Sequence, residues 1–240
     1  APPKEAAVAP SDCTLTLDPG ADVLAHALRD AADGAVICLR AGTYPGLAVF
    51  TSSVTVRGLG EVVLDAGGES PVLNVEAEKA SITLVGLTLT GGQNESGGAL
   101  RMQARSQIVF DGCTFTGNRA TSYGGGAIHA ERGKVVLKNC TLKGNAGDVG
   151  AALLADGVSF WEISGSTFSG NTGSKGALAI REGVQLWMSG STFSGNTLGG
   201  ASVYVDGSTT RGPTVRIDGC TLEGAGVQVD SDLAEVQVTP

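Results

Sequence analysis

Glu131, Asp156, Arg181 and His129 are the residues of this 240-residue chain whose types and spacing best suit chemistry. Glu131 and Asp156 lie 25 residues apart, and Arg181 follows Asp156 after another 25. In a chain that stacks repeats of that length, equivalent positions stand side by side at ~4.8 Å. Two carboxylates so placed come near the separation of a retaining glycosidase pair, roughly 5–5.5 Å between carboxyl groups. Crowding of like charge favours retention of a proton by one of the two. Arg181 would hold Asp156 ionised or bind a sugar acid, and His129 would serve as a proton carrier. The plain alternative is a solvated face on which Arg181 sits between Asp156 and Asp206.

The elements that must position these residues follow from a repeat. Thr88, Thr114, Thr141, Thr167, Thr192 and Thr221 recur at steps of 26, 27, 26, 25 and 29 residues. Each stands in a similar phrase: apolar strand, Gly, Cys or Ser, Thr, Phe or Leu, a turn with Gly-Asn, and often Gly-Gly-Ala before the next strand. Short strands repeated at this period are the mark of a solenoid. Alternation then assigns the faces. Ile108 and Phe110 point inward, Val109 and Asp111 outward. Gly112 resets the alternation, so that Cys113 and Phe115 point inward and Thr114 and Thr116 outward.

Three strands per coil, each pairing with its equivalent in the next, predict an all-β, single-domain, parallel β-helix with coils of about 25–29 residues. The handedness rule for parallel crossovers makes it right-handed. Stacked equivalents predict inward ladders of Phe115, Leu142, Phe168, Phe193 and Leu222, and a turn ladder of Asn118, Asn145, Asn171 and Asn196. Two outward rows carry the polar candidates. One runs Arg101, His129, Leu154, Ala179, Tyr204; the other runs Gln103, Glu131, Asp156, Arg181, Asp206. Trp187 falls in a further outward row, between Glu162 and Arg216, where an indole can stack on a sugar or simply pack over neighbouring side chains. Arg101, Tyr204, Asp206, Arg181 and Trp187 are therefore ligand-binding candidates beside Glu131, Asp156 and His129.

Residues 1–12, rich in Pro and Ala, read as a tether ahead of a β-helix domain over 13–240. Within that domain, residues 22–33 change to a helical period, with Val23, Leu24, Ala27, Leu28 and Ala31 on one face. Such a helix caps the first coil and blocks end-to-end strand pairing. The last coil, Val227–Val238, has no equivalent, so its edge calls for a cover, and a homo-oligomer through the C-terminal end is one solution.

Composition narrows the partners. The net charge is −8 and the sequence pI about 4.7, which argues against nucleic acid and anionic membrane surfaces. No apolar run approaches the ~18 residues that a spanning helix needs. The 37 glycines suit a chain that turns every few residues. Of the five cysteines, Cys13 and Cys38 lie on separate strand-like runs and are a disulfide candidate, with two buried thiols as the alternative. Cys113, Cys140 and Cys220 share a small interior slot with Ser166, Ser191 and Leu87 and read as free thiols. No Cys or His spacing suggests a metal, and no motif calls for a cofactor.

Phe115-Thr116-Gly117-Asn118, Phe168-Ser169-Gly170-Asn171 and Phe193-Ser194-Gly195-Asn196 resemble the FxxN motif of chlamydial polymorphic outer-membrane proteins. Gly97-Gly98-Ala99-Leu100 and Gly125-Gly126-Ala127-Ile128 resemble that family's companion GGA[ILV] motif. The stretch from the helix through Gly42-Thr43-Tyr44 is similar to the entry of pectin-lyase-like β-helix proteins. These resemblances imply a bacterial β-helix passenger exposed at the cell surface, outer membrane or periplasm. Leu142-Lys143-Gly144-Asn145 and Gly150-Ala151-Ala152 are imperfect copies. The expectation is a non-catalytic adhesin, scaffold or assembly subunit that meets cell-surface glycans or proteins. The alternative is a β-helix that binds or cleaves polysaccharide through Glu131, Asp156 and Arg181. Adjacent aspartates like those of polygalacturonase-like hydrolases occur nowhere in the chain.

Overall fold

Successive repeats pair in parallel and in register at the threonine: Thr88 with Thr114, Thr114 with Thr141, Thr141 with Thr167, and Thr167 with Thr192. Thr192 and Thr221 add an isolated bridge. The structure, a computed structural model, describes residues 12–206 and 211–240. It is a β-solenoid of about 9 turns with one short helix, as the repeat predicts. A representative coil has a first strand Leu100–Met102, a second Gln107–Asp111 and a third Thr114–Thr116. Each stacks on its equivalents above and below, which gives the solenoid three sheets.

Local chemistry explains the coil. Ile108, Phe110, Cys113 and Phe115 are buried, while Val109, Asp111 and Thr114 remain partly open to solvent. Between second and third strands the chain bends at a residue of positive φ: Gly86 (64°), Gly112 (60°), Gly165 (55°), Gly190 (53°) and Gly219 (56°). Asn139 takes that place once, at 52°, a conformation that Asn tolerates better than most side chains. The next residue then turns inward. In this slot the side chain does more than fit: Cys140 Sγ and Ser166 Oγ each donate to the carbonyl two residues earlier, at 3.3 and 3.0 Å. A short hydrogen-bonding group therefore ties the bend down, which is why Cys and Ser exchange there.

The turn after the third strand is held by the asparagine ladder. Asn118 Nδ2 donates to Asn145 Oδ1 (3.1 Å), Asn145 Nδ2 to Asn171 Oδ1 (3.0 Å), and Asn171 Nδ2 to Asn196 Oδ1 (2.9 Å). Each Nδ2 also donates to a carbonyl of the preceding coil, such as Phe115 for Asn145. Buried turn backbone is thereby satisfied from side chains rather than water. The Gly-Gly-Ala segments serve packing too: a Cβ on Gly125 would strike the Ile128 carbonyl and the Leu154 amide. Inside, Phe168 and Phe193 stack with ring centroids 4.5 Å apart.

At the N-terminal end, the helix is Val23–Asp30, shorter than the expected 22–33. Asp22 adopts a left-handed conformation (φ 60°) and Ala31 is already extended, because the chain must turn there into the strand Ala35–Pro45. Ser52 Oγ donates to the Ala31 carbonyl and fixes that exit. Leu24 and Leu28 are buried, so the helix does cover the first coil. Cys13 and Cys38 form a disulfide with Cα atoms 5.8 Å apart. Of the expected tether at 1–12, only Asp12 is among the described residues, and it pairs with Arg57 at 2.9 Å.

Candidate functional site

The first-strand sheet carries a row of register partners on its outer side: Arg101 beside His129, His129 beside Leu154, Leu154 beside Ala179, and Ala179 beside Tyr204. Parity places these side chains outside the core, yet most of the row is not solvated. Leu154 and Ala179 are fully buried and join Val149 and Tyr204 in a small second apolar cluster. Tyr204, a ligand-binding candidate by sequence, is only 6% exposed. Burial above all, and then Asp230, pushes its pKa up to about 12. Alternation fixes the face of a strand but not what the turns lay over it.

At the other end of this row the turns diverge and leave an open cleft of about 1020 Å³. His129 and Arg101 lie in its lining. The lining also includes Glu95 and Tyr123 from turns, Glu131 and Asp156 from strands, and Glu182. His129 is buried, at 5% exposure, and neither of its ring nitrogens has a hydrogen-bond partner. Arg101 Nε is likewise buried without one. Burial lowers the His129 pKa, opposed by Glu131 and Asp156 and assisted by Arg101 and Arg181, which keeps the imidazole neutral near pH 7. All three nitrogens are closed to solvent, and leaving a buried polar atom without a partner is costly.

The second row is irregular at the expected dyad. Ala130 pairs with Ala155, but Arg132 pairs with Val158, so Asp156 and Gly157 together oppose Glu131 in a bulge. The two carboxylates take partners in opposite directions along the helix. Glu131 accepts from Gln103 Nε2 (2.9 Å) and lies 3.5 Å from Arg101 Nη2, both in the coil before. Asp156 accepts from Arg181 Nη1 (3.3 Å) in the coil after and from the Gly157 amide (2.8 Å). Arg181 is committed as well: Nε donates to Asp206 Oδ2 (3.2 Å), and its guanidinium lies over the Tyr123 ring at 5.2 Å. It therefore braces neighbouring coils.

Tyr123 is the residue that sequence reasoning passes over. It is 43% exposed at the cleft rim, and its signal was an aromatic in a Ser/Gly turn, Thr121-Ser122-Tyr123-Gly124. Trp187 lies elsewhere, on the second-strand sheet, paired in register with Glu162 and Arg216. Its indole is 47% exposed and meets Phe160 edge to face at 4.9 Å, beside a shallow groove of about 410 Å³. Trp161 points inward and is fully buried, donating to Ser159 Oγ. Among the described residues, no group of three or more His, Cys, Asp or Glu is placed to hold a metal ion, and no helix is long and apolar enough to cross a membrane.

The coil geometry defines a right-handed parallel β-helix. The chain belongs to the family described as the right-handed beta helix region, whose model matches residues 73–239. No curated protein matches the chain in sequence. Among solved structures it is similar to the PL6 family alginate lyase AlyGC, with 14% identity and a TM-score of 0.63 over 94% of this chain. It is also similar to a pectin methylesterase from Aspergillus niger, with 16% identity and a TM-score of 0.58 over 97% of this chain. The chain spans 38% of the lyase and 85% of the esterase. At such identities the likeness establishes the fold.

Proposed function

We propose that this chain is an exported polysaccharide-binding β-helix whose binding site is the cleft over His129. The observation that carries the reading is the set of three buried nitrogens without partners, His129 Nδ1 and Nε2 and Arg101 Nε, in the lining of an open cleft. Leaving such groups unsatisfied costs about 1–3 kcal/mol each, a cost that a bound hydroxyl or carbonyl removes. The structural neighbours named above include enzymes of alginate and pectin, which supports a saccharide as the occupant. The Cys13–Cys38 disulfide supports an oxidising, extracellular setting. Placement at a bacterial surface as an adhesin or scaffold accords with the motif resemblance, although Phe115, Asn118 and the glycines of those motifs all have packing roles.

Binding fits the geometry better than hydrolysis. A glycosidase needs one carboxyl group to deliver a proton to the leaving oxygen. Here Glu131 and Asp156 each face a guanidinium, one in the coil before and one in the coil after. The test is a titration of the protein with soluble oligosaccharides, followed by amide chemical shifts and calorimetry, alongside assays for reducing ends and unsaturated products. Shifts clustered at 95–105, 121–133 and 156–158 with no turnover are expected. Turnover that disappears in Glu131→Gln and Asp156→Asn would establish cleavage instead, and shifts confined to the Trp187 face would move the site.

A further inference from the structure

We infer that Arg181 is a positioning residue of the cleft, holding the Tyr123 ring as the platform on which a sugar face stacks. The inference rests on the saccharide reading above and concerns the same site. Tyr123 lies in the turn ahead of the strand Ile128–Lys138, which carries His129. Arg181 belongs to the second coil after it, since Ala130 pairs with Ala155 and Ala155 with Ile180. Two coil steps are ~10 Å along the solenoid, so the two residues are not register neighbours. Their contact is made by side chains that reach across the intervening coil, with the guanidinium carbon 5.2 Å from the ring centroid.

Arg181 can hold a ring because it is itself held. Its Nη1 lies 3.3 Å from Asp156 Oδ2 in the coil before, its Nε 3.2 Å from Asp206 Oδ2 in the coil after, and none of the three side chains is more than 21% exposed. A guanidinium gripped from both sides keeps its plane, and that plane is the part of arginine that stacks on aromatic faces. Tyr123 is nonetheless 43% exposed and lines the cleft, so the contact leaves ring surface for a ligand. The backbone of its turn is tied separately. The Thr121 amide donates to the Asn94 carbonyl (2.8 Å) and the Ser122 amide to the Glu95 carbonyl (3.0 Å). Removing Arg181 therefore frees the ring without releasing the turn. A ring left to move must be ordered when a ligand binds, which weakens binding about twofold to tenfold for one side chain.

Two measurements test this, the first without any ligand. Tyrosine-ring NMR signals, assigned to Tyr123 with Tyr123→Phe, are followed against pH in the wild type, Arg181→Lys and Arg181→Met. Burial above all raises the Tyr123 pKa, Arg181 opposes the rise, and Asp156, Asp206 and Glu182 add to it. Arg181→Met should move the ring signals and raise the pKa further. Arg181→Lys, which keeps the charge without the planar fork, should move the ring signals with a smaller change in pKa. Unchanged ring signals in both variants would overturn the positioning role. The second measurement is binding of alginate, polygalacturonate, xylan and glucan oligosaccharides. Any that binds should lose affinity several-fold in Tyr123→Ala and little in Tyr123→Phe. Arg181→Met should lose about twofold to tenfold, and adding it to Tyr123→Ala should cost nothing more. A further loss in the double variant would show that Arg181 acts by another route and overturn the inference. Undiminished binding in Tyr123→Ala would overturn the platform while leaving a saccharide site in place. Failure of the whole panel to bind would overturn the saccharide reading and the platform with it, while the ring signals still decide whether Arg181 fixes Tyr123.

Discussion

Arg101 and His129 are register partners in adjacent coils, and between them they bury three nitrogens without a protein partner. The same ladder continues into Leu154 and Ala179, which are buried among apolar neighbours. One strip of sheet thus changes from a closed apolar contact to an open polar one within a single coil.

That boundary predicts a trade between stability and binding. His129→Leu extends the apolar strip and removes two unsatisfied polar atoms, so the ligand-free protein should gain about 1 kcal/mol. Urea unfolding should show a higher midpoint with an unchanged slope. A fall in the midpoint would mean that water or an unseen partner satisfies the imidazole in the free protein.

A pH dependence follows from the same residue. The His129 pKa is lowered from its ordinary value of 6.5, chiefly by burial. The groups acting on it are Glu131 and Asp156, which oppose the shift, and Arg101 and Arg181, which add to it. The unfolded chain then binds a proton more readily than the folded one. Stability from this group is fully present above pH 6.5 and is lost as pH falls from there through the folded value. Unfolding free energies at pH 7.5 and 5.5 should differ more in the wild type than in His129→Leu. Equal differences would place the dependence on other groups.

The asparagine ladder should fail from its middle. Asn145→Ala leaves the Asn118 amide, the Phe115 carbonyl and the side chains of Asn118 and Asn171 short of a partner, in a buried turn. A loss of about 3 kcal/mol is expected. Asn196→Ala, nearer the end of the ladder and partly open to solvent, should cost about 1 kcal/mol. Comparable losses at both sites in chemical denaturation would show that the ladder is a set of independent bonds.

Thiol chemistry provides a further check on the interior. Burial pushes the Cys113 pKa to about 11 and that of Cys140 to about 12. Both should resist alkylation at pH 8 until the protein is unfolded, while Cys220, which is less buried, reacts first. Cys140→Ser should be tolerated within about 1 kcal/mol, because Ser166 makes the same bond to the second carbonyl before it. Rapid native-state labelling of Cys113 or Cys140, followed by mass spectrometry, would contradict the packing of this slot.

The sequence alone determined the columns. Strand side chains alternate with period two and coils stack in register, so a spacing of 25–29 residues translates directly into spatial adjacency. Thr114 beside Thr141, Phe168 on Phe193, the asparagine ladder and the outward placement of Trp187 all follow from that arithmetic. It also put Arg101 beside His129 and Arg181 beside Asp206. The tertiary structure decided what happens where coils differ in length. The extra residue at Asp156–Gly157 shifts the register, and Glu131 and Asp156 take ion-pair partners in different coils. The paths of the turns bury Leu154, Ala179 and Tyr204 but leave the cleft open over His129, with Tyr123 at its rim. Parity is local and repeats along the chain, whereas burial of an outer face depends on where loops of unequal length come to rest, which only the packed molecule settles.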